Sequence, residues 1–172
     1  MSRGFLSAFY PDEWHDSAYA LPYEKWYSEG YRGLIFDIDN TLAPHGAPAD
    51  GRAVELFKRL HAMGYETCLI SNNQLPRVKP FADAVSSWFV EDAHTPSPRN
   101  YLKAGERMGL DRERVLFVGD QLFTDVWGAR RAGIRSILVK PIHPKEEIQI
   151  VLKRRLERIV LFFYRRNQKR KS

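Results

Sequence analysis

The stretch Leu34-Ile35-Phe36-Asp37-Ile38-Asp39-Asn40-Thr41-Leu42 decides how the rest of the chain is read. Its first three residues form a short apolar run, the pattern of a buried strand. Asn40 and Thr41 are turn-forming residues just past its end. Two carboxylates one residue apart therefore stand at the carboxyl end of a strand, where parallel sheets open the crevice that receives ligands. In a strand that continues through them, residues two apart face the same side, so both reach one pocket. Like charges that close strain one another unless a cation or a proton intervenes. The pair points to a hard cation such as Mg²⁺, shared with the phosphate oxygens of a substrate. An acidic turn with a helix-capping Asp and Asn explains the same residues equally well. The remainder of the chain has to decide.

Downstream, strand-like and helix-like patterns alternate. A breaker-rich loop at residues 43–48 precedes a helix over residues 50–63, with Val54, Phe57 and Leu60 on one face and Gly64 as a stop. Residues 67–70 read as a second strand ending in Ser71-Asn72-Asn73, and a helix follows from residue 75 to about residue 87. Residues 88–90 form a short third strand, and residues 98–108 a helix that ends at Gly109. Residues 115–118 are a fourth strand closing on Gly119-Asp120. A helix over residues 124–132 and a fifth strand over residues 136–139 complete the series. Such alternation specifies an α/β fold: a three-layer, Rossmann-like parallel sheet with helices on both faces.

Length and composition fit one soluble domain with a real core. Cys68, the only cysteine, lies in an apolar stretch, which excludes a disulfide framework and a thiolate zinc cluster and favours a reducing cytoplasm. The start resembles no signal peptide, and no apolar run is long enough to span a bilayer. The net charge of +6 is unevenly spread. Residues 153–172 hold nine Lys and Arg against Glu157 alone, which leaves the first 152 residues slightly acidic. A basic nucleic-acid-binding core is thereby excluded. The expected layout is an aromatic-rich lead-in packed across the surface (residues 1–32), a core (33–143), and an amphipathic C-terminal helix with a basic tail (144–172).

Four strand ends now meet on one rim. They bring Asp37 and Asp39, Ser71, the His94-Thr95-Pro96 loop, and Gly119-Asp120-Gln121-Leu122-Phe123-Thr124-Asp125. Carboxylates and a hydroxyl converging on one crevice suit phosphoryl transfer, with a carboxylate as the nucleophile. At this point the sequence resembles the haloacid dehalogenase (HAD) superfamily of phosphatases. Its DxDxT motif is matched by Asp37, Asp39 and Thr41, its second motif by Ser71, and its GDxxxTD motif by Gly119, Asp120, Thr124 and Asp125. The Asp-Asn-Thr-Leu, Ser-Asn-Asn and Tyr10-Pro11-Asp12-Glu13 segments are most similar to the YqeG-type branch of subfamily IIIA, which is similar to phosphatidylglycerophosphate phosphatases.

The resemblance implies that Asp37 becomes an aspartyl-phosphate and that Asp39 is the general acid and base. It implies Mg²⁺ held by Asp37, the main-chain oxygen of Asp39, Asp120 and Asp125, and a substrate phosphate bound by Thr41, Ser71 and the backbone around Asn72. A phosphorylated substrate follows, with a lipid headgroup favoured. One position departs from the pattern. The third motif is a lysine, Lys-Pro in this branch, and here the place reads Thr95-Pro96. Losing such a charge costs on the order of 10²–10³ in rate. Arg99, Lys79 and Lys103 are the candidate replacements. The competing reading is a catalytically impaired HAD-like binding protein.

Each inter-motif gap is consumed by a single strand–helix unit, so the site is expected to be capless and open to bulky substrates. In the C-terminal helix, expected from residue 145 to about residue 164, the stripe Ile148, Val151, Leu152, Leu156, Ile159, Val160 and Phe163 faces the core or a partner. Aromatics beside basic residues over 161–171 fit peripheral contact with anionic lipid at the inner face of the membrane. Contact with RNA, the less favoured reading, needs only the same charges.

Overall fold

The computed structural model describes residues 4–143 and 148–169. Among them six strands form one parallel sheet: β1 (Glu13–His15), β2 (Gly33–Asp37), β3 (Glu66–Ile70), β4 (Trp88–Val90), β5 (Val115–Gly119) and β6 (Arg135–Val139). The helices are α1 (Tyr23–Ser28), α2 (Gly51–Met63), α3 (Leu75–Val85), α4 (Pro98–Met108), α5 (Trp127–Arg131) and α6 (Ile148–Lys169). Strand order is β1-β6-β5-β2-β3-β4. From β2 the chain builds outward through β3 and β4, then crosses to β5 on the other side. The switch point therefore lies between β2 and β5, where open α/β sheets bind ligands.

Alternation along the strands divides the core into two layers. Leu34 and Phe36 pack with Phe57 and Leu60 of α2 and Phe81 of α3, while Ile35 packs with Tyr101 and Ala104 of α4 and Ala129 of α5. Local chemistry sets the helix ends. Asp50 caps α2 by accepting the Ala53 N–H at 2.8 Å, and Gly64 ends it in the left-handed conformation. Gly109 ends α4 in the same way.

The lead-in departs from its expected role. It supplies an edge strand, pinned to β6 by the Asp12 N–H on the Ser136 carbonyl and the Ser136 N–H on the Asp12 carboxylate. Glu13 of β1 pairs with Arg135 at 2.7 Å and accepts the Trp26 indole N–H. Tyr23 and Trp26 are wholly buried, so α1 belongs to the core. Glu-Trp-His is too short and polar to read as a strand; pairing with β6, not periodicity, creates it.

Two further elements refine the expectation. The helix expected over residues 124–132 begins as a π-turn, Leu122–Val126, before α5. In α6 the described part of the apolar stripe turns outward: Leu156, Ile159 and Phe163 are exposed, and Val160 alone of these is buried. The inner side carries Arg154, Glu157, Val160, Leu161 and Tyr164. The expected helix start at residue 145, the side chains of Ile148, Val151 and Leu152, and Arg170 and Lys171 lie outside the described residues.

Candidate active site

β2 ends at Asp37, and the chain turns at once. The Ile38 carbonyl accepts the N–H groups of Thr41, Leu42 and Ala43, and Asn40 takes a left-handed conformation (φ 62°) that Asn tolerates better than most residues. Tyr19 of the lead-in donates its hydroxyl to the Leu42 carbonyl and braces the turn from outside. Because the strand stops, the two carboxylates take different hydrogen-bond partners. Asp37 points toward β5, whereas Asp39 receives the Asn73 side-chain N–H at 2.7 Å, the Arg77 guanidinium at 3.0 Å and the Gly46 N–H at 2.9 Å. The two carboxylates still feel one another, since the charge of Asp39 acts on Asp37.

β5 delivers Asp120, and the π-turn brings Asp125 back over the strand end. Gly119 makes that return feasible: a Cβ there would lie 2.7 Å from Asp125 Oδ2 and 2.8 Å from Asp125 Cβ. Asp125 accepts the Gln121 N–H at 3.0 Å, and Tyr101 donates to the carbonyls of Thr124 and Asp125. π-turns of this kind recur at functional sites. One carboxylate oxygen from each of Asp37, Asp120 and Asp125 lies within 4.8 Å of the others. The Thr41 hydroxyl sits 3.3 Å from Asp37 Oδ2 and 3.4 Å from Asp120 Oδ1.

Crowding shows in the titration of these acids. Burial, followed by the charges of Asp125, Asp120 and Asp39, pushes the Asp37 carboxyl well above the usual range. Burial and then Asp120 do the same to Asp125. Asp120 is raised by burial against the opposing charge of Arg154. An all-oxygen cluster of three acids that resist simultaneous ionisation is a donor set for a hard divalent cation.

The Ser71 hydroxyl follows β3 and accepts the N–H groups of Asn73 from backbone and side chain, at 3.1 and 3.2 Å. Asn72 faces the position where the resemblance places a lysine, accepting the Thr95 N–H at 2.9 Å and donating to the Thr95 hydroxyl at 2.8 Å. Arg99 is exposed on the first turn of α4, and no ion pair or hydrogen bond ties it to the acids. Lys79 is committed to Asp83, and Lys103 is exposed.

Three site residues escaped the sequence reading. Asn73 and Arg77 hold Asp39, and both line an open groove of about 400 Å³. Their signal was present in Ser-Asn-Asn-Gln-Leu-Pro-Arg at the end of β3. Arg154 arrives from α6 and pairs with Asp120 Oδ2 at 3.0 Å, and nothing local in the sequence marks it. A cavity of similar size at the opposite end of β3, lined by His61, Glu66 and Trp88, is far from this chemistry.

The haloacid dehalogenase-like hydrolase family model matches residues 45–133. The chain is 33% identical to the "Probable phosphatase YqeG" of Bacillus subtilis, with 89% of this chain and 90% of that protein covered. It is 28% identical to phosphatidylglycerophosphate phosphatase 1 of Arabidopsis thaliana over 86% of this chain, which spans 46% of that longer protein. In three dimensions it resembles a Bacteroides fragilis protein assigned to the haloacid dehalogenase-like hydrolases, with a TM-score of 0.54 and 17% identity. That match covers 70% of this chain and 93% of the other, a likeness of fold.

Proposed function

This chain belongs to the haloacid dehalogenase-like hydrolase family and is a phosphatase of that family; we propose that it hydrolyses a phosphomonoester through an aspartyl-phosphate on Asp37. The observation that carries the reading is the placement of three carboxylates from two adjacent strand ends within 4.8 Å, with Asp37 alone of the three not fully buried. Mg²⁺ fits the chemistry of this donor set and would be held by Asp37, Asp120 and Asp125, with the main-chain oxygen of Asp39 as the further ligand the resemblance implies. When bound it supplies the positive charge that lets the acids and a phosphate share one site.

The chain's own groups do the rest. An Asp37 carboxylate oxygen attacks phosphorus and the ester P–O bond breaks. The Asp39 carboxyl gives its proton to the departing oxygen, then takes one from the water that releases inorganic phosphate and restores Asp37. Arg77 and Asn73 hold Asp39 by hydrogen bonds at 3.0 and 2.7 Å. Ser71, Thr41 and the backbone N–H groups around Asn72 receive the phosphate oxygens, with Arg99 left as an outer contact for a large substrate.

A phosphatidylglycerophosphate-like lipid is the favoured substrate. No cap covers the rim among the described residues, so a headgroup still in a membrane has access. The outward face of α6 shows Leu156, Ile159, Phe162 and Phe163 beside Arg165, Arg166 and Lys169, the composition of a peripheral contact with anionic lipid. No described helix is long and apolar enough to cross a membrane.

The decisive experiment is hydrolysis of an aryl phosphate by the parent and Asp37→Asn, with Mg²⁺ and with chelator. The expected result is turnover in the parent alone, abolished by chelation, with one phosphoryl group trapped on Asp37 after acid quench. A parent as inactive as Asp37→Asn on both aryl phosphate and vesicle-borne phosphatidylglycerophosphate would favour the binding-protein reading.

A further inference from the structure

The family pattern calls for a cation beside the crowded acids, and position 95 does not supply it. Thr95 spends its hydroxyl and its N–H on Asn72. Arg77, the other arginine at the rim, is committed to Asp39 and to the Ala47 carbonyl. The charge that does reach the cluster comes from a different part of the chain. Arg154 Nη2 lies 3.0 Å from Asp120 Oδ2; the Asp120 side chain is fully buried and that of Arg154 partly so.

That contact is built rather than incidental. Glu157, one turn further along α6, accepts the N–H groups of Leu122 and Phe123 at 3.0 and 3.5 Å, fastening the helix to the π-turn that carries Asp125. Val160 packs with Leu122, Val126 and Leu138. Tyr164 meets the Tyr10 ring edge-on, and Arg165 lies over Trp14. The helix thus buries its polar side to bring Arg154 to Asp120, and leaves apolar residues outside. Arg154 takes Oδ2 of Asp120, while Oδ1 meets the Thr41 hydroxyl.

Resting on the phosphatase reading, we propose that Arg154 is a positioning residue of the active site. It fixes the Asp120 carboxylate and supplies from the C-terminal helix the permanent positive charge that Thr95 cannot. Two consequences separate this role from a purely structural one. Removing the guanidinium takes away a stabiliser of developing phosphoryl charge, so turnover falls. It also removes a cation that competes electrostatically for Asp120, so the acids hold Mg²⁺ at least as tightly as before.

The experiment compares the full-length parent, Arg154→Gln, Arg154→Lys and Arg154→Gln/Thr95→Lys. Aryl phosphate kinetics are measured beside calorimetric titration with Mg²⁺ alone and thermal melting. We expect Arg154→Gln to lose kcat by on the order of 10²-fold while Mg²⁺ affinity is kept or raised. Arg154→Lys, and a lysine at position 95 in the Gln background, should each recover a substantial part of the rate. Arg158→Gln, on the exposed side of α6, should match the parent. The proposal is overturned if Arg154→Gln keeps the parental rate, or if rate, Mg²⁺ affinity and melting temperature fall together and neither lysine restores them. The calorimetric arm needs no turnover. An inactive parent would defeat the phosphatase reading, while a loss of Mg²⁺ binding in Arg154→Gln that neither lysine restores would separately defeat the role given to Arg154.

Discussion

Asp37 sits at the most contested point of the molecule. Three further aspartates surround it, and burial and their charges hold its carboxyl, with that of Asp125, well above the usual range. In the unfolded chain these acids titrate near roughly 4. Above that pH the folded, metal-free state retains protons that the unfolded state has released, so stability falls as pH rises until the folded values are passed. Asp37→Asn removes one member of the cluster. In chelator it should therefore melt above the parent at about pH 8 and lose that advantage toward about pH 4. Parallel melting curves across the range would contradict this account. Gly119 carries a second prediction at the same scale. Its missing Cβ is the space that Asp125 occupies, so Gly119→Ala should cost about 1–3 kcal/mol by overpacking. Displacing Asp125 should also weaken Mg²⁺ binding, which calorimetry would report; an unchanged affinity would mean that Asp125 is not a ligand.

Among the elements, the π-turn between β5 and α5 depends most on distant support. Glu157 accepts two of its N–H groups from inside the protein. Glu157→Ala leaves those donors buried without an acceptor, at a cost of about 1–3 kcal/mol. It should loosen Asp125 and Arg154 together, seen as a lower melting temperature with weaker Mg²⁺ binding. Glu157→Gln keeps an acceptor oxygen and should stay near the parent; a Gln variant as impaired as Ala would mean that the negative charge matters more than the hydrogen bonds. The contrast marks the limit of what was legible in the chain. β2 to β6 and their helices could be read because apolar runs, Asp50, Gly64 and Gly109 act locally. Asp37, Asp120 and Asp125 could be placed because strand ends of a parallel sheet share a rim. β1 could not, since pairing with β6 makes Glu13-Trp14-His15 a strand. Arg154 could not either, because 34 residues of chain separate it from Asp120 and only packing brings them together. The choice between core and partner for the apolar stripe of α6 was not legible for a related reason: buried polar contacts at Arg154 and Glu157 turn Leu156 and Ile159 outward.

At the scale of the whole molecule, α6 joins two surfaces. Its inner side reaches the acids, and its outer side offers Leu156, Ile159, Phe162 and Phe163 to the surroundings. With Arg165, Arg166 and Lys169 beside them, this face should bind vesicles rich in phosphatidylglycerol and ignore neutral phosphatidylcholine. Each basic residue near an anionic surface contributes about 1 kcal/mol, so removing residues 166–172, which leaves Arg165 on Trp14, should reduce flotation by more than tenfold at physiological salt. Phe162→Ser/Phe163→Ser alters exposed side chains only and should weaken flotation with little change in melting temperature. Both variants should keep the parental rate on a soluble aryl phosphate, because Arg154 and Glu157 are untouched. On phosphatidylglycerophosphate in vesicles both should slow, through a raised apparent KM at unchanged kcat. Equal flotation of parent and truncation would remove the lipid-docking role. Equal flotation with a slower soluble rate would show instead that the tail stabilises the seat of α6, since damage that passes through Arg154 appears with every substrate and damage to docking appears only where the substrate is held in a membrane.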